Sequence, residues 1–128
     1  MKDSQRPVFL NLLQIRMPVT AIVSILHRAS GCLLALSLPF VVFSIHYAVI
    51  SEEHFNDMLA CFHNYHLTRW AVLLPALAYA YHALAGIRHM IMDCGIGLTR
   101  ISAVRTAYGL LIIYVLVAMG IMGVILWA

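Results

Sequence analysis

The most restrictive feature of this sequence is a set of three long segments without Asp, Glu, Lys or Arg, at residues 29–51, 70–87 and 106–128. A helix needs about 20 mostly apolar residues to cross the bilayer core, and a backbone in lipid must satisfy its own hydrogen bonds. The alternating pattern of a membrane β-strand is absent from the sequence. The chain is therefore predicted to be an all-α membrane protein with three transmembrane helices, at about residues 21–50, 67–92 and 105–127.

The composition supports this class, because 63% of the residues are hydrophobic and 10% are charged, against roughly 45–50% and 25% in soluble domains. Seven of the eight cationic residues precede residue 29 or lie between residues 88 and 105. Because cytoplasmic loops are enriched in Lys and Arg, the N-terminus is predicted to be cytoplasmic and the C-terminus periplasmic. Residues 1–20 are interpreted as a cytoplasmic or interfacial segment, and residues 21–128 as a single three-helix domain.

The net charge of +3 follows from this topology and does not predict nucleic-acid binding. A cleavable signal and an Arg/Ser-rich transit peptide are not apparent, which favours a multi-pass protein of the bacterial inner membrane. Cys32, Cys61 and Cys94 form no CxxC motif and cannot by themselves hold an iron–sulfur cluster, which usually takes four thiolates.

The second predicted span contains ionisable residues at helical spacing. His82, Gly86, His89 and Asp93 follow one another at intervals of four, three and four residues, so they share one helix face. A membrane-embedded imidazole needs a metal, a cofactor or a polar neighbour, although a hydrogen-bonded packing histidine is an equally good interpretation of one such residue. Gly86 would allow a flat ring or another backbone to approach this face.

A second polar cluster is predicted on the first span, where Ser24, His27 and Arg28 lie at a depth similar to that of His82. Arg28 alone could be a topology residue that extends to the headgroups. Together, the clusters fit a b-type haem, with His82 as an axial ligand of the iron and His27 or Arg28 near the propionates. Met90 and Met92 are alternative ligands by type, but helix geometry turns them away from His82.

The same residues also fit a quinone site, whose carbonyl oxygens gain negative charge on reduction. Ser24 could donate a hydrogen bond, and Arg28 could stabilise the developing charge. His27, His89 and Asp93 are candidates for the proton supply.

The segment between the first two spans, at about residues 51–68, contains several acidic residues and histidines. Their spacing matches no compact ligand pattern, so a solvated connector is predicted instead of a metal site. Thr20 is the predicted N-cap of the first span, and Gly95 and Gly97 are predicted to end the second.

Two motifs identify a family resemblance: SxxHRxSG at residues 24–31 and HxxxGxRHxxxD at residues 82–93. With the Gln-Arg-Pro and Arg-Met-Pro segments at residues 5–7 and 16–18, they closely resemble the larger membrane-anchor, cytochrome b subunit of bacterial succinate dehydrogenase. The similarity covers essentially the whole chain. Departures from the family pattern lie mainly in the segment between the first two spans.

The resemblance implies specific roles and partners. His82 would be one axial ligand of haem b, with the second supplied by a smaller membrane-anchor subunit. Ser24 and Arg28 would line the ubiquinone site, and His27 would lie near the haem propionates and the quinone. The expected partners are that second small anchor subunit, an iron–sulfur subunit, a flavoprotein subunit and membrane lipid.

The resemblance thus implies a subunit of succinate:ubiquinone oxidoreductase that accepts electrons from succinate through iron–sulfur clusters and is not catalytic alone. One alternative is the anchor of a quinol-fumarate reductase working in the opposite direction. Another is a non-catalytic membrane scaffold or transporter subunit, in which His82 and Arg28 serve packing and topology.

Overall fold

The computed structural model describes residues 17–127, which form four helices. They are α1 (Val19–Ile50), α2 (Glu52–Asn64), α3 (His66–Asp93) and α4 (Arg100–Trp127). Helices α1, α3 and α4 are long and apolar enough to cross a membrane, which confirms the predicted three spans. Residues 1–16, most of the predicted interfacial segment, lie outside the described part of the chain.

Helix α3 is the central element, because it packs against both α1 and α4. The core cluster contains one residue of α1, two of α3 and two of α4: Val23, Tyr81, Ala85, Ala107 and Leu110. The alanines let the backbones approach closely, as is common between membrane helices. The Tyr81 hydroxyl donates a hydrogen bond of 3.0 Å to the Val23 carbonyl, so the core also has a polar link between α1 and α3.

Two helix starts differ from the sequence prediction. Helix α1 begins at Val19, with Pro18 and not Thr20 at its N-cap, and the Pro18 carbonyl accepts bonds from the amides of Ala21 and Ile22. Helix α4 begins at Arg100, five residues before the predicted start. The Thr99 hydroxyl accepts a bond from the Ser102 amide, and this side-chain cap extends the helix beyond its uncharged run.

The prediction of a connector without regular structure at residues 51–68 is wrong, because residues 52–64 form helix α2. Ser51 caps this helix by accepting a hydrogen bond from the His54 amide. Glu52 and Glu53 occupy the first turn, where carboxylates interact favourably with the helix dipole. The sequence contains these signals, but the high proportion of polar residues favoured a loop. The described residues contain no group of three or more His, Cys, Asp or Glu placed to hold a metal ion.

Arg69, near the start of α3, hydrogen-bonds to two other helices, α2 and α4. Its guanidinium donates to the carbonyls of Phe62 and His63 in the last turn of α2, at 3.1 Å each. A third bond, of 3.3 Å, reaches the Leu126 carbonyl near the end of α4. Carbonyls at a helix C-terminus lack partners within the helix, so a cation that serves two such ends is stabilising.

We expect Arg69→Met to lower the unfolding free energy by about 1–2 kcal/mol, because these charge-assisted hydrogen bonds are lost. Amide hydrogen exchange should accelerate in the last turn of α2, and the unfolding temperature in detergent should fall. Arg105→Met removes an exposed arginine and is the control. Equal effects of the two substitutions would contradict a clamping role for Arg69.

Candidate functional site

The site is built on a reciprocal contact in which α1 and α3 each place a histidine against a glycine of the other helix. A Cβ atom added at Gly31 of α1 would lie 3.0 Å from Cε1 of His82, and one added at Gly86 of α3 would lie 3.4 Å from Nε2 of His27. The two imidazoles stack with their centroids 4.2 Å apart. The ring that lies against Gly86 is that of His27, at an ordinary contact distance, whereas the approach of His82 to Gly31 is tighter.

Hydrogen bonding orients His82 through one ring nitrogen. Nδ1 of His82 lies 3.1 Å from the His27 carbonyl and 3.2 Å from the Ser30 hydroxyl oxygen. The hydroxyl proton of Ser30 is donated to the same carbonyl at 2.8 Å. Because a carbonyl only accepts, Nδ1 must hold the ring proton, and neutral His82 then has its lone pair on Nε2. That nitrogen can coordinate a transition metal.

His27 lies between the two histidines of α3. Its ring stacks on His82 and also on His89, with the latter centroid 5.0 Å away. Its Nε2 is buried, has no hydrogen-bond partner among residues 17–127, and faces Gly86. Any hydrogen bond from this ring to a group outside the α1–α3 contact must therefore come from Nδ1.

Ser24 and Arg28 lie one turn apart on α1, with Ser24 half-buried and Arg28 exposed. Neither side chain hydrogen-bonds to another residue of the described range 17–127, so both remain available to a ligand or another chain. The structure thus brings His27 and His82 together, whereas Arg28 points away from the described core. Met90, an alternative iron ligand by residue type, is exposed as well.

His89 and Asp93 line a cavity of about 440 Å³ that also touches the first turn of α1 and the start of α4. His89 hydrogen-bonds through Nδ1 to the Ala85 carbonyl, one turn earlier, at 2.7 Å. The cavity begins where the stack of three imidazoles ends. It places two of the candidate proton-supply residues at the end of the bundle that is predicted to be cytoplasmic.

Sequence reasoning missed the role of Arg88, which it treated as a cation flanking the span. The residue is only 8% exposed, and its guanidinium donates to the Thr106 hydroxyl at 3.2 Å and to the Ala103 carbonyl at 3.0 Å. Arg88 follows Ala78, Tyr81 and Ala85 at intervals of three, four and three, and all four are buried. This register was the signal that could have revealed its burial.

We expect Gly31→Ala to destabilise the protein by about 1–3 kcal/mol, the typical effect of an overpacked contact. The added methyl must displace His82 and disturb its Nδ1 hydrogen bonds. Gly86→Ala is the matched control, because its methyl makes an ordinary contact and improves helix propensity by about 1 kcal/mol. Thermal unfolding of both variants in the same detergent measures the difference, and a Gly31→Ala protein at least as stable as Gly86→Ala would refute the close contact.

Comparison with known proteins gives consistent matches. The family model described as "Succinate dehydrogenase/Fumarate reductase transmembrane subunit" matches residues 2–123. A relative from Coxiella burnetii, named "Succinate dehydrogenase cytochrome b556 subunit", is 37% identical over 93 residues, which cover 73% of this chain and 74% of the relative. A "Succinate dehydrogenase cytochrome b560 subunit" from Chondrus crispus is 31% identical over 98 residues, with coverage of 73% and 76%.

Proposed function

This chain belongs to the family of succinate dehydrogenase and fumarate reductase transmembrane subunits, and on that premise we propose that it binds haem b through His82 and helps to form a ubiquinone-reduction site. The family supplies membrane subunits of an oxidoreductase complex. The observation that most supports the haem assignment is the hydrogen bonding of His82 through Nδ1, which leaves Nε2 as a lone-pair donor.

The residues of this chain could supply one ligand to the iron of a haem. His82 would coordinate the iron through Nε2, and the hydrogen bond from its Nδ1 to the His27 carbonyl would hold its ring in place. The histidine contact also packs small residues, Gly31 and Gly86, beside the two rings. When bound, the haem supplies a one-electron redox centre. We propose that the second ligand of the iron comes from a smaller anchor subunit, so that the two subunits share the haem.

Ser24 and Arg28 are proposed to bind ubiquinone, which takes up two electrons and two protons on reduction to the quinol. The Ser24 hydroxyl would donate a hydrogen bond to one carbonyl oxygen, and the Arg28 guanidinium would stabilise negative charge as it develops there. The availability of both side chains supports this role. His27 would lie near the propionates, and the cavity lined by His89 and Asp93 would supply protons from the cytoplasmic side.

The proposed partners are a second small anchor subunit, an iron–sulfur subunit and a flavoprotein subunit, in a complex of the bacterial inner membrane. The three cysteines of the chain are exposed and unpaired, whereas an iron–sulfur cluster usually takes four thiolates. Electrons from succinate would therefore reach the quinone through partner clusters. The family description also includes fumarate reductase, but the two relatives described above are named for succinate dehydrogenase, which favours succinate oxidation.

Replacing His82 with Ala should abolish or strongly alter the b-haem absorption of the purified complex, because one axial ligand is lost. His46→Ala is the control, since His46 is an exposed histidine on the same membrane domain. Visible spectra before and after dithionite measure the effect. An unchanged haem spectrum in the His82 variant would remove it as a ligand, and absence of haem from the complex with the unsubstituted chain would favour the scaffold interpretation.

Ser24→Ala and Arg28→Leu should lower succinate:ubiquinone reductase activity, Arg28→Leu by about 100-fold, as expected for loss of a donor aimed at developing charge. Succinate oxidation with a soluble artificial acceptor should persist, because that reaction bypasses the quinone site. Arg105→Leu is the control for loss of an exposed cation. Equal loss of both activities would count against a quinone role for these residues.

A further inference from the structure

We propose that Ser30 is a positioning residue for the haem ligand, and that its hydroxyl group fixes the direction and the donor strength of His82. This inference rests on the proposed role of His82 as an axial ligand. Ser30 is the second serine of the SxxHRxSG motif, and the proposed quinone and haem roles do not otherwise use it. Its side chain is 8% exposed, at the contact of α1 with α3.

Three polar atoms form a closed triangle at this contact. Ser30 Oγ lies 2.8 Å from the His27 carbonyl oxygen and 3.2 Å from His82 Nδ1, and the third side, from the carbonyl to Nδ1, is 3.1 Å. The hydroxyl donates its only proton to the carbonyl. Its oxygen can then only accept from the Nδ1–H of His82, so this proton is shared between two acceptors.

The triangle has two consequences for His82. Two acceptors from one turn of α1 restrict rotation of the ring about its χ2 angle more than one acceptor would. They also draw the Nδ1 proton away from the ring, which makes Nε2 a stronger electron donor to a metal. A stronger donor stabilises the oxidised iron relative to the reduced iron.

The alternative is that Ser30 only satisfies its own hydroxyl on the helix backbone, as serines in helices often do. Ser37 provides the comparison within the same helix. It donates to the Leu34 carbonyl at 2.9 Å, again three residues earlier, and it is half-buried. Ser30 accepts a cross-helix hydrogen bond from His82, whereas Ser37 makes none within residues 17–127, so Ser37→Ala is a matched control for local helix effects.

The test is made on the intact complex purified in mild detergent. In Ser30→Ala we expect a more positive midpoint potential of the haem, altered g-values in the electron paramagnetic resonance spectrum, and haem transfer to apomyoglobin that is about tenfold faster. That factor is the lower end of the range for loss of an outer partner of a metal-ligating histidine. Ser37→Ala should leave all three measurements unchanged, and Ser30→Thr should restore them because the hydroxyl returns.

If Ser30→Ala does not assemble, Ser30→Cys decides the question, because its thiol is a weaker acceptor of similar size and should shift the potential in the same direction. The proposal is overturned if an assembled Ser30→Ala or Ser30→Cys complex matches Ser37→Ala, or if Ser30→Thr shifts as much as Ser30→Ala. His82→Ala separates this failure from that of the ligand assignment. Retention of a normal haem spectrum in His82→Ala would refute the ligand itself, and the Ser30 proposal with it.

Discussion

The contact between α1 and α3 depends on the close approach of the His82 imidazole to Gly31, with the His27 ring stacked on His82 and lying against Gly86. Inside a membrane, burial of apolar surface contributes little to helix association, and close approach at small residues becomes decisive. Gly31 permits that approach, and the polar groups that it buries need partners. The His27 carbonyl and Ser30 provide them for His82, so the same contact joins the helices and directs a candidate ligand.

Helix α4 is attached to this pair by arginines at the two ends of α3. Arg69 bonds to the last turn of α4 and Arg88 to its first two turns. Both use backbone carbonyls of α4. A charged group in a medium of low dielectric constant is stabilised when its donors are satisfied by the chain itself. These two cations therefore serve the fold, although one of them lies within a motif of the candidate site.

Ser24 and Arg28 differ from Arg69 and Arg88 in their hydrogen bonding. Their polar atoms are not engaged by residues 17–127, and the second nitrogen of His82 is likewise left out of its recorded hydrogen bonds. The side chains proposed to meet quinone or haem thus have polar atoms that no residue in the range 17–127 engages. Residue type cannot separate the arginines that hydrogen-bond within the fold from Arg28, because Arg28, Arg69 and Arg88 have the same side chain and the same charge.

The sequence alone determined the three spans, because runs of uncharged apolar residues have only one common solution in lipid, and it placed His82, Gly86 and His89 on one face through helical periodicity. It did not reveal helix α2, whose short capped segment resembles a polar connector, or the burial of Arg88. Only the tertiary structure placed His27 against Gly86 and Ser30 beside His82. It also distinguished Arg69 and Arg88, which hydrogen-bond to α4, from the exposed Arg28. Periodicity specifies which residues share a face, whereas a hydrogen bond between helices depends on their rotation and depth, and those are set by packing between residues far apart in the sequence, such as Ser30 and His82.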